Sequence, residues 1–273
     1  MRIIFSRKGF DSAAGGCPSP LLDGCPISLP IPTRQPTKTT FGDLRYPVPE
    51  MVTDLTRGKL NRGHMCHVDP DIDESMLPDR PTGWRGAFGQ VGKAQKHLSN
   101  QGVTHDDLFL FWGLFRPVEK LHGKWRYFSR PIHAIYGWLQ VSDVVLNSGG
   151  GPLGKYPWLD RHPHVQEGWG DENVIYVANN TLNLARGNKL RGFGVFRKPY
   201  QLTALNTLTK SVWHVPEWLH VRSGGVGMSF HPAGRWLENG AVRSAARGQE
   251  FVADVSRRPD AFDWAVSLIE AHQ

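Results

Sequence analysis

The hydrophobic residues of this chain fall mainly into short apolar segments separated by polar, glycine-rich or proline-rich turns. The segment at residues 107–115 is nearly all apolar, which is typical of a central strand buried on both faces. Residues 1–5 predict another buried strand, and apolar residues near helical spacing predict helices at 87–99 and 259–271. Further strands are predicted at residues 125–128, 133–145, 173–178, 192–196 and 248–254.

This pattern predicts one α+β domain, residues 1–273, with a mainly antiparallel sheet, a few flanking helices and long Gly/Pro-rich loops. Asp23-Gly24 lies between apolar runs and predicts a hairpin, which the surrounding prolines would confine to a sheet edge. In the helix predicted at 87–99, Gln90 and His97 would share one face, directed either towards a site or towards solvent.

The densest group of reactive side chains lies at residues 64–71, which contain two histidines, one thiol and two carboxylates. In an extended chain alternate side chains share a face, so His67, Asp69 and Asp71 would converge from one strand. Asp-Pro is also a common turn starter, so both carboxylates could instead cap the end of a strand.

Metal sites normally need three or more protein ligands. Either of two histidines distant in sequence could supply the third ligand beside His67 and Asp69. We predict that His67 and Asp69 bind a divalent metal, or form an acid/base site, together with His164 of a His-Pro-His loop. His133, which opens a predicted strand, is the second choice for the third residue. Two nitrogens and a carboxylate suit Fe(II) or Zn(II), and the His-Val-Asp sequence matches the HxD half of the facial triad of some Fe(II) oxygenases.

The loop after the first predicted strand contains Arg7, Lys8 and Asp11 beside several glycines. Glycines let backbone N–H groups approach a phosphate and the cations supply charge, so Arg7 and Lys8 are candidate anion-binding residues. Asp11 in this loop and Asp71 in the His/Asp segment are candidate general bases. An exposed basic turn that binds nothing would have the same composition.

Positive charge adds a candidate nucleic-acid surface. The formal net charge of +7 suits a polyanionic partner, and the densest basic patch has Phe193, Phe196 and Tyr200 interleaved. A solvated strand edge would look similar. Trp158 and Trp169, in a long loop, would either stack on a base or pin the loop to the core. The predicted nucleic-acid-binding cations are Arg186, Lys189, Arg191, Arg197 and Lys198.

Two further features limit the class of protein. No apolar run approaches the length of about 18 residues that a spanning helix needs, so we predict no membrane segment. The three cysteines, Cys17, Cys25 and Cys66, lack CxxC spacing, so neither a disulfide framework nor a zinc knuckle is expected. We therefore expect a cytoplasmic protein, and the sequence leaves its oligomeric state open.

Several short blocks, in order along the chain, form a recognisable set. They are Ile3-Ile4-Phe5-Ser6-Arg7-Lys8-Gly9-Phe10, Cys66-His67-Val68-Asp69-Pro70-Asp71, Phe88-Gly89-Gln90, Gly137-Trp138-Leu139-Gln140-Val141, His162-Pro163-His164-Val165 and Gly248-Gln249-Glu250-Phe251. Together they resemble the nucleotide modification associated domain 3 family, over nearly the whole chain. The resemblance implies a role in modifying bases in DNA, including phage DNA, with a nucleic-acid or nucleotide substrate. It implies no particular reaction.

Our first interpretation is therefore an enzyme that modifies nucleic-acid bases, with a His/Asp site that binds a divalent metal. Two other classes remain open. The protein could be a metal-free transferase that holds a phosphorylated or nucleotide donor in the Arg7/Lys8 loop. It could also be a non-catalytic nucleic-acid-binding protein that contacts phosphates through the basic patch and stacks bases on its tryptophans.

Overall fold

The computed structural model describes residues 1–35, 37–147, 152–166, 169–170, 172–183 and 190–273. Its helices are α1 (Val48–Leu55), α2 (Gly92–Asn100), α3 (Pro152–Lys155) and α4 (Pro259–His272). Its strands are β1 (Arg2–Arg7), β2 (Ser19–Leu22), β3 (Cys25–Pro26), β4 (Ile31–Pro32), β5 (Cys66–His67), β6 (Ala87–Gln90), β7 (Leu108–Leu121), β8 (Lys124–Tyr127), β9 (Ile132–Leu146), β10 (Val174–Ala178), β11 (Phe193–Gln201), β12 (Val212–His214), β13 (Ala241–Arg243) and β14 (Glu250–Asp254).

Ten strands of the described ranges form one sheet, whose main path runs β14-β1-β7-β9-β10-β6. β11 pairs with β9, β2 and β8 pair with β7, and β3 pairs with β2. Pairing along the main path is antiparallel except between β1 and β7, and β2 is also parallel to β7. The predicted α+β class with a mainly antiparallel sheet is therefore confirmed.

The central strands are buried on both faces of the sheet. In β7, Leu108 and Leu110 belong to one apolar cluster, while Phe109 and Phe111 belong to another. Because side chains alternate along a strand, these two clusters lie on opposite faces. Neither face of β7 meets water there, which explains why its sequence is almost wholly apolar. α4 packs against the first cluster.

A third apolar cluster, beside the sheet, orients the short strand β5. It contains Val48 and Met51 of α1 together with Cys66 and Val68. β5 has only two residues and pairs with β4, and the packing of Cys66 in this cluster adds to its support. Since neighbouring side chains of an extended segment point in opposite directions, burial of Cys66 and Val68 turns His67 the other way.

The local predictions agree with the structure except at one helix. β1, β7, β9 and α4 lie where expected, and Asp23-Gly24 joins β2 to β3 in an antiparallel hairpin. The helix predicted at 87–99 is wrong at its start, because residues 87–90 form β6. β6 pairs with β10 along its length, and this long-range pairing overrides the helical spacing. Gln90 and His97 therefore lie in different elements.

No helix in the described part of the chain is both long and apolar enough to cross a bilayer. All three cysteines are free thiols. The cytoplasmic location stays a prediction.

Candidate functional site

His67 and Asp69 lie on and just after β5, and Asp69 reaches the neighbouring strand β6. Its Oδ1 accepts a hydrogen bond of 2.6 Å from the backbone N–H of Gly89. Gly89 also leaves space for another side chain, because a Cβ built there would overlap the ring of His164. An isolated glycine inside a strand indicates such a close approach, and this was the available sequence signal for its role.

His164 comes from the loop between β9 and β10, within a 3₁₀ turn at Pro163–Val165. Two asparagines hold this turn: Asn147 Nδ2 and Asn173 Nδ2 each donate to the carbonyl of His164 at 2.7 Å. The indole of Trp169 stacks on the His164 ring with 4.5 Å between centroids and 6° between planes. Trp158, the other candidate stacking residue, packs instead against Tyr156.

The three side chains converge on one point. One possible ligand atom from each of His67, Asp69 and His164 lies within 4.8 Å of the other two. His164 Nε2 is 3.9 Å from Asp69 Oδ2, and the rings of His67 and His164 meet edge to face at 5.1 Å. All three residues line a cleft of about 350 Å³, together with Arg7 and Trp169.

The electrostatics of this cluster favour neutral histidines beside a charged carboxylate. Burial lowers the pKa of His67 to about 4 and that of His164 to about 3, despite the attraction of Asp69. Burial opposes the charge of Asp69, but the three neighbouring histidines outweigh it and hold the pKa of the carboxyl below its usual range. Near neutral pH the site therefore offers the ligand forms that a divalent metal requires.

The orientation of His164 is set by Asn173. The Nδ2 of Asn173 donates to the His164 carbonyl, so its Oδ1 is an acceptor, 2.8 Å from His164 Nδ1. His164 Nδ1 must therefore carry the proton of the neutral ring, which leaves Nε2 with a lone pair towards Asp69. A ring N–H held by an amide or carboxylate oxygen is the usual arrangement for a metal-binding histidine. Asn173 belongs to no motif, so no signal in the sequence identified it.

A third histidine, His162, also contacts Asp69. Its Nδ1 accepts from the backbone N–H of His164 at 3.3 Å, so the neutral ring carries its proton on Nε2. That Nε2 is buried without a well-aligned acceptor among the described residues, although Asp69 Oδ1 lies 3.4 Å away. Gly89 and His162 thus both face Oδ1, and Oδ2 is the oxygen of Asp69 left towards His164.

The predicted anion-binding residues, Arg7 and Lys8, lie at the same cleft, but they differ in burial and in their ion pairs. Lys8 is largely buried; its Nζ pairs with Glu250 at 3.1 Å and lies 4.2 Å from the Phe88 ring centroid. Glu250 also accepts from Gln90 at 2.7 Å. Arg7 is more exposed, and its nearest carboxylate is that of Asp11 at 4.0 Å.

Asp11 and Asp71, the candidate general bases, both accept hydrogen bonds from groups outside the His/Asp cluster. Asp11 accepts from the backbone N–H groups of residues 13 and 14, which closes its own turn. Asp71 forms a two-pronged ion pair with Arg80 and accepts from Trp84 Nε1. β5 ends at His67, so the strand alternation that predicted a common face does not extend to Asp71.

His133, the second choice for the third ligand, is not brought to this cluster. It lies on β9, where its Nδ1 accepts from the indole N–H of Trp213 at 3.0 Å. It lines a neighbouring cleft whose lining includes neither His67 nor Asp69. The structure therefore brings together the first predicted set, with His164.

The predicted basic patch is only partly available as a nucleic-acid surface. Arg191 is exposed and pairs with Glu74 at 3.0 Å, and Arg197 and Lys198 are exposed on β11. The rings of Phe193 and Phe196 are buried in the core and cannot stack on a base. Arg186 and Lys189 lie outside the described residues.

The site residues fall within the range of a known family. The family model described as nucleotide modification associated domain 3 matches residues 2–254. The chain belongs to this family. Its name links the protein to nucleotide modification, and the matched range includes His67, Asp69 and His164. Searches of curated proteins and of solved structures found no match.

Proposed function

We propose that this member of the nucleotide modification associated domain 3 family is a metal-dependent enzyme that modifies a nucleic-acid base. His67, Asp69 and His164 would hold one Fe(II) or Zn(II) ion. The observation that carries this proposal is the convergence of these three side chains within 4.8 Å at an open cleft. The family name supports the substrate class.

The residues present fit such an ion. Two neutral imidazoles and one carboxylate form a set of three ligands that leaves coordination positions for water or substrate. The Nδ1–H of His164 is already held by Asn173, and Asp69 Oδ1 is held by Gly89. Fe(II) held by such a set supplies oxidation chemistry, whereas Zn(II) supplies an activated water for hydrolysis or deamination.

The other groups of the cleft would position the substrate. Trp169 backs His164 and partly closes the cleft beside His67. Glu250 pairs with Lys8, which offsets part of the repulsion between the buried ammonium group and a cation bound by His67. Arg7 remains at the rim with one weak acidic contact, and a phosphate next to the reacting base could bind there.

Metal analysis joined to nucleoside analysis tests the proposal. Protein purified without a histidine tag should contain about one Fe or Zn per chain by plasma mass spectrometry. Asp69→Asn, which keeps the acceptor for Gly89 but removes the charge, and His67→Ala should lose it. His214→Ala, at an exposed histidine, is the matched control. The metal-loaded parent should change the mass of a nucleoside in DNA or RNA, and the two site variants should not.

Two results would count against the proposal. If no metal binds after reconstitution with Fe(II) or Zn(II), the His/Asp cluster has another role. The second result is that the protein binds metal and also binds DNA or RNA, but changes the mass of no nucleoside. If nucleic-acid binding then persists in Asp69→Asn, a non-catalytic nucleic-acid-binding protein is the better description.

Removal of the Asn173 side-chain amide should weaken metal binding without removing a ligand. In Asn173→Leu, His164 Nδ1 loses its acceptor, while the His164 carbonyl keeps the hydrogen bond from Asn147. We expect a metal affinity about 10 to 100 times lower, measured by competition with a chelator. Asn179→Leu, at an asparagine that contacts Gln140 instead, should leave the affinity unchanged. Equal affinities in the two variants would show that Asn173 does not orient His164.

A further inference from the structure

A second cleft, of about 370 Å³, lies next to the candidate metal site and is strongly basic. The two clefts share Arg7, Lys8 and Asp11, so they meet at the loop that follows β1. The rest of the second cleft is lined by residues of β7 and β9, by the loop before β12, and by residues 235 and 243–246. Its cationic lining residues are Arg7, Lys8, Lys210, Arg235 and Arg243, and Asp11 is the one acidic residue that lines it within the described ranges.

Most of this positive charge is not neutralised by carboxylates. Lys210 and Arg243 are exposed, and neither has a carboxylate within ion-pair distance among the described residues. Arg235 is half-buried, and its Nη1 donates to the carbonyls of Arg243 and Ser244 at 3.3 Å each. Its guanidinium is thus held in place by neutral acceptors and keeps its full charge for a ligand.

His133 adds a neutral hydrogen-bond donor to the same cleft. Burial, with the positive charges of Lys210 and Arg7, lowers its pKa to about 3, so the ring is uncharged near neutral pH. Its Nδ1 accepts from Trp213 Nε1, which places the ring proton on Nε2. The described residues offer that Nε2–H no acceptor, so it is free to donate to an anion.

We propose that this second cleft binds the backbone phosphates of a nucleic-acid strand whose target base enters the cleft of His67, Asp69 and His164. The cleft combines several cations with hardly any acid, which is the composition that phosphate groups require. Its junction with the metal site at Arg7 suits a substrate that continues past the reacting nucleotide. This inference rests on the proposed function and names its substrate class: a polymer and not a free nucleotide.

Binding of a fluorescent single-stranded oligonucleotide of about ten nucleotides tests the inference, with DNA and RNA as separate arms. Lys210→Ala and Arg243→Ala should each weaken binding about 5-fold at moderate salt. Each should also reduce the slope of log affinity against log salt by about 0.7. Lys124→Ala and Arg257→Ala, at exposed cations outside this cleft, should bind like the parent. Affinity for a mononucleotide should not change in any of the four variants.

Three outcomes would overturn the inference: no oligonucleotide binding by the parent, equal binding by all variants, or an equal loss of mononucleotide affinity. The last would assign the cleft to the phosphate of a free nucleotide. The metal content of each variant separates this result from the fate of the proposed function. Equal oligonucleotide binding by a metal-loaded parent and by all four variants removes only the strand-binding cleft. Binding that Lys210→Ala and Arg243→Ala weaken, in a protein that holds no metal, removes only the metal-dependent reaction.

Discussion

A Gly89→Ala variant is expected to bind metal about 100-fold more weakly than the parent, or worse, although it changes no ligand. An added Cβ would overlap the His164 ring at Cγ and Cδ2 and approach Nδ1 to 2.7 Å. Gly89 lies in β6, whose extended backbone accepts alanine without strain, so the effect comes from the side chain alone. The ring must move away from Asp69, and the three ligand atoms no longer converge.

The same overlap should lower the free energy of unfolding by about 1–3 kcal/mol, the usual range for overpacking a close-packed contact. A double-mutant cycle identifies the cause. In a His164→Ala background the methyl group has room, so Gly89→Ala should cost clearly less stability than in the parent. Gly154→Ala, at an exposed glycine with open space around its Cβ, is the control and should preserve both stability and metal affinity. Additive costs in the cycle would contradict the clash.

An Asp71→Ala variant is expected to lose about 3–5 kcal/mol of stability while it keeps metal affinity. The carboxylate of Asp71 pairs with Arg80 at 2.6 and 2.8 Å, and only 11% of each side chain is exposed. Removal of one partner leaves a guanidinium with its charge poorly hydrated, and the indole N–H of Trp84 also loses an acceptor. Denaturant unfolding measures the loss, and chelator competition measures the metal.

Two comparisons make this prediction specific. In Asp71→Ala/Arg80→Met both charges are absent, so part of the stability should return. Glu119→Ala breaks an ion pair whose side chains are 45% and 55% exposed, and it should cost less than about 1 kcal/mol. A stable Asp71→Ala protein without enzymatic activity would instead return Asp71 to the role of a general base.

The wrong start of the helix predicted at residues 87–99 shows where local apolar spacing fails to predict secondary structure. The apolar spacing there fits a helix, yet residues 87–90 form β6 because they pair with β10 and are buried. No local property of these four residues reveals that partner. The consequence reaches the site, since β6 supplies both the N–H that Asp69 accepts and the space that His164 occupies.

The basic residues show the same limit for charge. The density of basic residues in the sequence pointed to the patch around Arg191. In the structure, Arg191 is paired with Glu74 and the neighbouring Phe193 and Phe196 rings are buried. Lys210, Arg235 and Arg243 are scattered in sequence and formed no visible cluster. The fold brings them to one cleft beside Arg7. Local charge density therefore did not show which cations lie free and close together.

The sequence by itself determined the α+β class, the doubly buried central strand, the terminal helix and the family, because apolar alternation and short motifs are local properties. It also singled out His67, Asp69 and His164, since reactive residues at close spacing are visible without a fold. Only the tertiary structure decided that His164 and not His133 joins the pair, that Asp71 belongs to Arg80, and that Gly89 and Asn173 shape the site. Each of these depends on contacts between segments distant in sequence, which pairing and packing of the whole chain create.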